Sequence, residues 1–251
     1  MFAIVLFATG ALVGILSGFF GIGGGMLLVP ILMMLHFNIK AAIAISVVQM
    51  FFSSILGSYL NYKKGNLKLN EGIFVGIGGA LGAFFGVHLT NILEPKMLAL
   101  LLLGLVVFAF FKVLLSKNSN TNEEKQVAIW ILFLIGVFVG TISIMLGVGG
   151  AILLTPIMVG FLHYSTKKAA TASLFFVVFS SVTGVVYKLS NGVFSNLALE
   201  PLTVLAVAIG ALFGVVFGIK LKEVVHAKSH KIALLVMYAL IIAMLVKKIF
   251  L

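Results

Sequence analysis

The groups best able to do chemistry in this chain lie in two glycine-rich stretches: Gly21, Gly23, Gly24 and Gly25 ahead of Pro30, and Gly147, Gly149, Gly150 and Ala151 ahead of Pro156. Such a run interrupts a helix, and the helix that restarts beyond it offers backbone N–H groups without intrahelical partners at the positive end of its dipole. An anion is held there without any basic side chain. After the first stretch, Ser46, Gln49, Ser53 and Gly57 fall at i, i+3, i+7 and i+11, on one helical face with Ser54 beside it. Their counterparts are Ser173, Phe176, Ser180 and Gly184, with Ser181 alongside. An amide on one side and a phenyl ring on the other make an asymmetric pocket, in which Gln49 is the expected substrate donor and the six serines are lining groups. Each serine also has a plainer use, bonding back to its own helix carbonyls. His36 and His163 end the two stretches, each followed by a lysine four residues on, and are candidates for proton coupling or for interfacial caps.

Other chemistries are closed by composition. The chain has no Cys, which removes disulfides, a thiolate nucleophile and thiolate metal ligation; it has no Arg, so a bidentate guanidinium clamp on an anion is excluded. No Glu lies deep in an apolar run, so neither a carboxylate cation site nor a metal site is expected, and no cofactor is called for.

The elements that must position these groups are membrane helices. At 62% hydrophobic and 9% charged, the chain is far more apolar than the roughly 45–50% of a soluble domain. Segments 41–62, 72–92, 96–115, 169–188, 199–219 and 231–250 read as six full spans, each near the ~20 residues that a hydrocarbon core requires. Stretches 2–36 and 128–163 are apolar but broken in the middle, and each reads as two helical pieces. The piece from Met26 to His36 is about 16 Å long at 1.5 Å per residue, half of a ~30 Å core, so it starts well inside the membrane. Irregular backbone at that depth must line a polar cavity or be buried in protein. Pro30 and Pro156 each remove a backbone bond and act as helix-breaking positions. Gly78, Gly82 and Gly86, like Gly210, Gly214 and Gly218, recur every four residues and read as close-packing ridges.

The chain is also duplicated. From Gly14 to Ile31 against Gly140 to Ile157, nine of eighteen positions are identical at an offset of 126. Beyond the prolines His36, Lys40, Ser46, Phe52, Ser53, Ser54 and Gly57 recur at an offset of 127, and the glycine ridges at 132. The fold expected is an all-α polytopic bundle of two repeats, 1–116 and 128–251, joined by a hydrophilic cytoplasmic linker at 117–127. If each broken stretch returns the chain to the side it came from, twelve of the seventeen lysines share one side; if each crosses once, the division is nearly even. Lysine collects in cytoplasmic loops, which favours inverted repeats with both termini outside. Met1-Phe2-Ala3-Ile4-Val5 lacks the basic start of a signal peptide, so a retained N-terminus is expected. The net charge of +11 is assigned to orientation and anionic lipid rather than nucleic acid.

The duplicated Gly-Phe-Phe-Gly-Ile-Gly-Gly-Gly-x-x-x-x-Pro segment, the following Lys-Ala-Ala-x-Ala-x-Ser, the paired serines and the later Gly-Ala-Phe-Phe-Gly ridge resemble the sulfite exporter TauE/SafE family over nearly the full length. The resemblance implies a bacterial inner-membrane permease for a small anion such as sulfite, a sulfonate or a related carboxylate, working by alternating access rather than as an enzyme. Ala151 in place of a third glycine and Phe176 in place of a glutamine depart from the first half, so the second half is expected to position the substrate rather than ligate it. An anion channel of the same architecture is the main alternative. A remoter one is an intramembrane serine hydrolase built on Ser17, which recurs as Ser143.

Overall fold

The computed structural model describes residues 2–20, 24–63, 69–115, 128–161, 166–197, 199–224 and 227–250; within them the chain is helical and contains no strand. The helices are α1 (Phe2–Phe20), α2 (Gly25–Met34), α3 (Ile39–Lys63), α4 (Leu69–Ile92), α5 (Pro95–Leu115), α6 (Ile129–Leu146), α7 (Ala151–Phe161), α8 (Thr166–Ser190), α9 (Val193–Asn196), α10 (Pro201–Val224) and α11 (Ala227–Phe250). The six expected spans correspond to α3, α4, α5, α8, α10 and α11. Two further helices, α1 and α6, are also long and apolar enough to cross a bilayer, making eight among the described residues. They are the first pieces of the broken stretches 2–36 and 128–163, and in them Gly14, Gly18 and Gly140 stay helical, held against a neighbouring helix at backbone distance.

Local chemistry sets several boundaries. Pro95 and Pro201 open α5 and α10, where the missing N–H costs nothing. Asn38 starts α3 by accepting the Lys40 N–H on its side chain at 2.9 Å and the Ala42 N–H on its carbonyl at 2.9 Å. Pro30 and Pro156 both lie inside the short helices, α2 and α7, which run through them. The chain therefore leaves the helix at the glycines, while each proline frees one carbonyl within an already restarted helix.

The glycine ridges determine which helices touch. Gly10, Gly14 and Gly18 of α1 lie against the backbone of Val207, Ala211 and Val215, and Gly210, Gly214 and Gly218 of α10 against Phe7, Ala11 and Ile15. Both sequence numbers rise together, so α1 and α10 run in the same direction. Gly78, Gly82 and Gly86 of α4 meet Phe133, Val137 and Thr141 of α6 in the same parallel sense. In each case a side chain is absent where two backbones approach, which is the use expected of small residues every fourth position. The centre is formed by α3 and α8, which run antiparallel: Gly57 faces Leu174 and Gly184 faces Val47. The outer helices α5 and α11 turn Phe108, Phe111, Leu115, Val236 and Leu240 outward. A bundle with this apolar exterior has lipid, not water, as its solvent.

Candidate functional site

Two half-helices begin at the middle of the bundle. Gly24, at φ 62°, sits in the left-handed region that favours glycine, and from it α2 starts; the N–H groups of Leu27 and Leu28 both bond to its carbonyl, at 3.2 Å. The N–H groups of Gly25 and Met26 find no acceptor among the described residues. On the other side Gly147, at φ 66°, closes α6, with the Val148 N–H bonded back to the Ser143 carbonyl at 3.0 Å. The chain turns through Gly149, at φ 78°, and α7 starts with the N–H groups of Leu153 and Leu154 on the Gly150 carbonyl. There the N–H groups of Gly149, Gly150, Ala151 and Ile152 lack an acceptor among the described residues. All of these positions are buried except Leu27, which is half-buried.

The two breaks touch each other. Gly25 packs on the carbonyl of Gly147, and the Ser46 hydroxyl donates to the same carbonyl at 2.6 Å. Gly24 faces the Gln49 carboxamide, so closely that a Cβ there would lie 2.6 Å from Nε2. In the second half Gly150 faces the Phe176 ring, which also fills the space over Gly79. Gly24 and Gly150 are repeat counterparts, as are Gln49 and Phe176, so the same backbone arrangement meets an amide on one side and a hydrocarbon plug on the other. Gln49 is fully buried; its Nε2 donates to Ser53 at 3.3 Å, while its Oε1 has no partner. Ser143 Oγ, just before the second break, is likewise buried without a partner. Buried polar atoms are normally paired; Gln49 Oε1, Ser143 Oγ and Ser58 Oγ are the side-chain exceptions among the described residues.

The serines divide into two classes. Ser53, Ser54, Ser180 and Ser181 bond back to carbonyls of their own helices at 3.2–3.3 Å, the plainer of the two readings open to them. Ser46 and Ser173 instead reach across, Ser46 to Gly147 and Ser173 to the Thr155 hydroxyl at 3.0 Å. Thr155 was not singled out in the sequence, where it stands opposite Val29 and the repeat gives no signal for it. His36, at φ 67°, ends the α2–α3 turn with its N–H on the Met33 carbonyl at 3.2 Å and its side chain exposed, as a cap would be. Gly21, Gly23, His163 and the 117–127 linker lie outside the described residues.

Ser46 is thus the bolt between the two breaks. Ser46→Ala leaves the Gly147 carbonyl buried and unpaired, with an expected loss of about 1–3 kcal/mol. A scan of thermal midpoints in detergent checks this, with Ser54→Ala, which loses only a bond within its own helix, expected to melt like the wild type.

The family model described as Sulfite exporter TauE/SafE matches residues 6–245. "Probable membrane transporter protein YdhB" of Bacillus subtilis is 26% identical over 83% of this chain and 86% of its own length. "Probable membrane transporter protein MJ0441" of Methanocaldococcus jannaschii is 27% identical over 92% of this chain and 90% of its own length. No solved structure matches.

Proposed function

Because the chain belongs to the sulfite exporter TauE/SafE family of membrane transporters, we propose that its cargo is a small oxyanion such as sulfite, held where α2 and α7 begin and released to alternate sides of the membrane. The observation that carries this reading is the meeting of two buried half-helix starts whose N–H groups have no acceptor among the described residues. Such groups favour negative charge and would be costly in hydrocarbon if nothing received them. Gln49 makes α2 the ligating start. Phe176 makes α7 the positioning one, since a ring occupies the place of the amide.

The two halves, 1–116 and 128–251, are proposed as inverted repeats of one membrane domain in a bacterial inner membrane, with the linker in the cytoplasm and both termini outside. The antiparallel contact of the counterparts α3 and α8 supports inversion, as does the lysine bias. With α1 parallel to α10 and α4 parallel to α6, each repeat lends its first helix to the other's third long helix, an exchange that an in-plane two-fold axis produces.

Flux into proteoliposomes holding the full chain tests the reading. Sulfite should accumulate against its gradient when an ion or pH gradient is imposed; a purely dissipative current would assign a channel instead. Gln49→Leu removes a buried donor to a charged ligand, which is worth about 1.5–3 kcal/mol. The KM for sulfite is expected to rise roughly tenfold or more, with Ser54→Ala unchanged. An unaltered KM in Gln49→Leu would remove Gln49 from the site.

A further inference from the structure

We infer that Lys188 is the cationic residue of the anion path, resting on the oxyanion reading above and adding to it the one charged side chain that meets the cargo. At the end of a span a lysine ordinarily extends its ammonium to the membrane surface. Lys188 does not: it is 1% exposed, among the most deeply buried large side chains of the protein. It belongs to the buried stripe of α8 formed by Ser173, Val177, Ser181 and Gly184, the face that carries Phe176 and Ser180 beside it. Gly184, one helical turn earlier, packs on Val47 and Ile144. Since α3 runs antiparallel to α8, the register brings Lys188 level with Ile43. Ile43 in turn is the residue on which Gly147 rests, with a Cβ at Gly147 falling 3.1 Å from its Cα. Lys188 therefore lies at the depth where α6 gives way to the second glycine break, beside the helix end that carries the orphaned Ser143 hydroxyl.

Two other lysines show what a structural role looks like here. Lys40 donates to the Asn91 carbonyl at 2.8 Å and Lys231 to the Leu114 carbonyl at 3.5 Å, both capping helix ends. Lys188 has no such bond and no ion pair among the described residues, and its repeat counterpart, Asn61, bonds to its own helix at the Gly57 carbonyl. A buried ammonium without an anion is a liability to the fold unless an anion visits it. Its position on the side of the bundle that holds Lys40 and the α4–α5 turn gives the path a charged entrance or exit at that end only, ahead of the N–H groups at Gly149 and Gly150. The cargo it fits is a compact oxyanion able to accept from an ammonium and from backbone N–H groups together.

The test is thermal unfolding of the purified full chain in detergent, with and without sulfite, sulfate, thiosulfate and methanesulfonate, for the wild type, Lys188→Met and Lys188→Arg. A wild type stabilised by at least one of the anions is the first requirement. Lys188→Met is then expected to melt at or above the wild type without anion, because an unpaired buried charge has gone, and to lose at least tenfold in the anion concentration that gives half of the shift. Lys188→Arg should keep the response. Lys188→Met that melts lower without anion and keeps the full wild-type response makes Lys188 a structural cap and overturns the inference, while the oxyanion reading stands. If no anion shifts the wild type, the oxyanion reading fails and Lys188 loses its partner with it.

Discussion

Gly24→Leu is expected to insert into the membrane and purify like the wild type, yet to carry no anion. The position is occupied at φ 62°, where a side chain adds strain of about 1–3 kcal/mol. What a Cβ would meet is the tip of Gln49, 2.6 Å from Nε2 and 2.9 Å from Oε1. That tip is the free end of a flexible side chain, so the collision displaces Gln49 rather than the backbone. Strain of this size is a fraction of a stability of about 5–15 kcal/mol, and the fold should survive it. The site should not: an isobutyl group would stand over the N–H groups of Gly25 and Met26, and the carboxamide that faces them would be pushed aside. Gly24→Ala, with the smaller displacement, should retain partial flux at a raised KM. Uptake of labelled sulfite by proteoliposomes, normalised to protein with wild-type gel-filtration behaviour, provides the measurement. Wild-type flux from correctly inserted Gly24→Leu would show that the cargo does not pass the α2 start.

Much of this arrangement was legible in the sequence because duplication supplies a second reading of every feature. The recurrence of Gly24 at Gly150 and of Gln49 at Phe176 announced an asymmetric pair, and in the folded chain those residues do face each other within each half. The ridges at Gly78, Gly82 and Gly86 and at Gly210, Gly214 and Gly218 announced close packing, though not with which helix; that α4 takes α6 and α10 takes α1 is decided by three-dimensional exchange between halves. The burial of Lys188 was not legible, because its type and its place near a span end read as a snorkelling anchor, and only the antiparallel seat of α8 on α3 turns it inward. The serines could not be sorted at all by spacing: Ser46 and Ser53 share a face, but Ser46 bonds across to the Gly147 carbonyl of the other half while Ser53 bonds back to its own helix.

Gly82→Leu should fail in the opposite way from Gly24→Leu, by losing the fold and not merely the flux. At Gly82 a Cβ would strike the carbonyl of Val137 and lie 2.9 Å from the Thr141 nitrogen, atoms that belong to the α6 backbone and cannot turn aside. Overpacking a well-filled core costs about 1–3 kcal/mol when side chains can adjust. Here α4 and α6 must separate along their whole parallel contact, so Gly78, Gly86, Gly136 and Gly140 would lose their backbone neighbours together. In lipid, where apolar surface alone gives helices little reason to associate, that close packing is the main source of cohesion. The variant is expected to aggregate on extraction from the membrane, with Gly82→Ala intermediate. Gly104→Leu is the matched control, since nothing lies within 4 Å of a Cβ built there and the residue is exposed on α5. Gel filtration of the three variants separates a ridge that holds helices together from a glycine that holds nothing. Equal, monodisperse behaviour of Gly82→Leu and Gly104→Leu would mean that the α4–α6 contact is not what binds the halves.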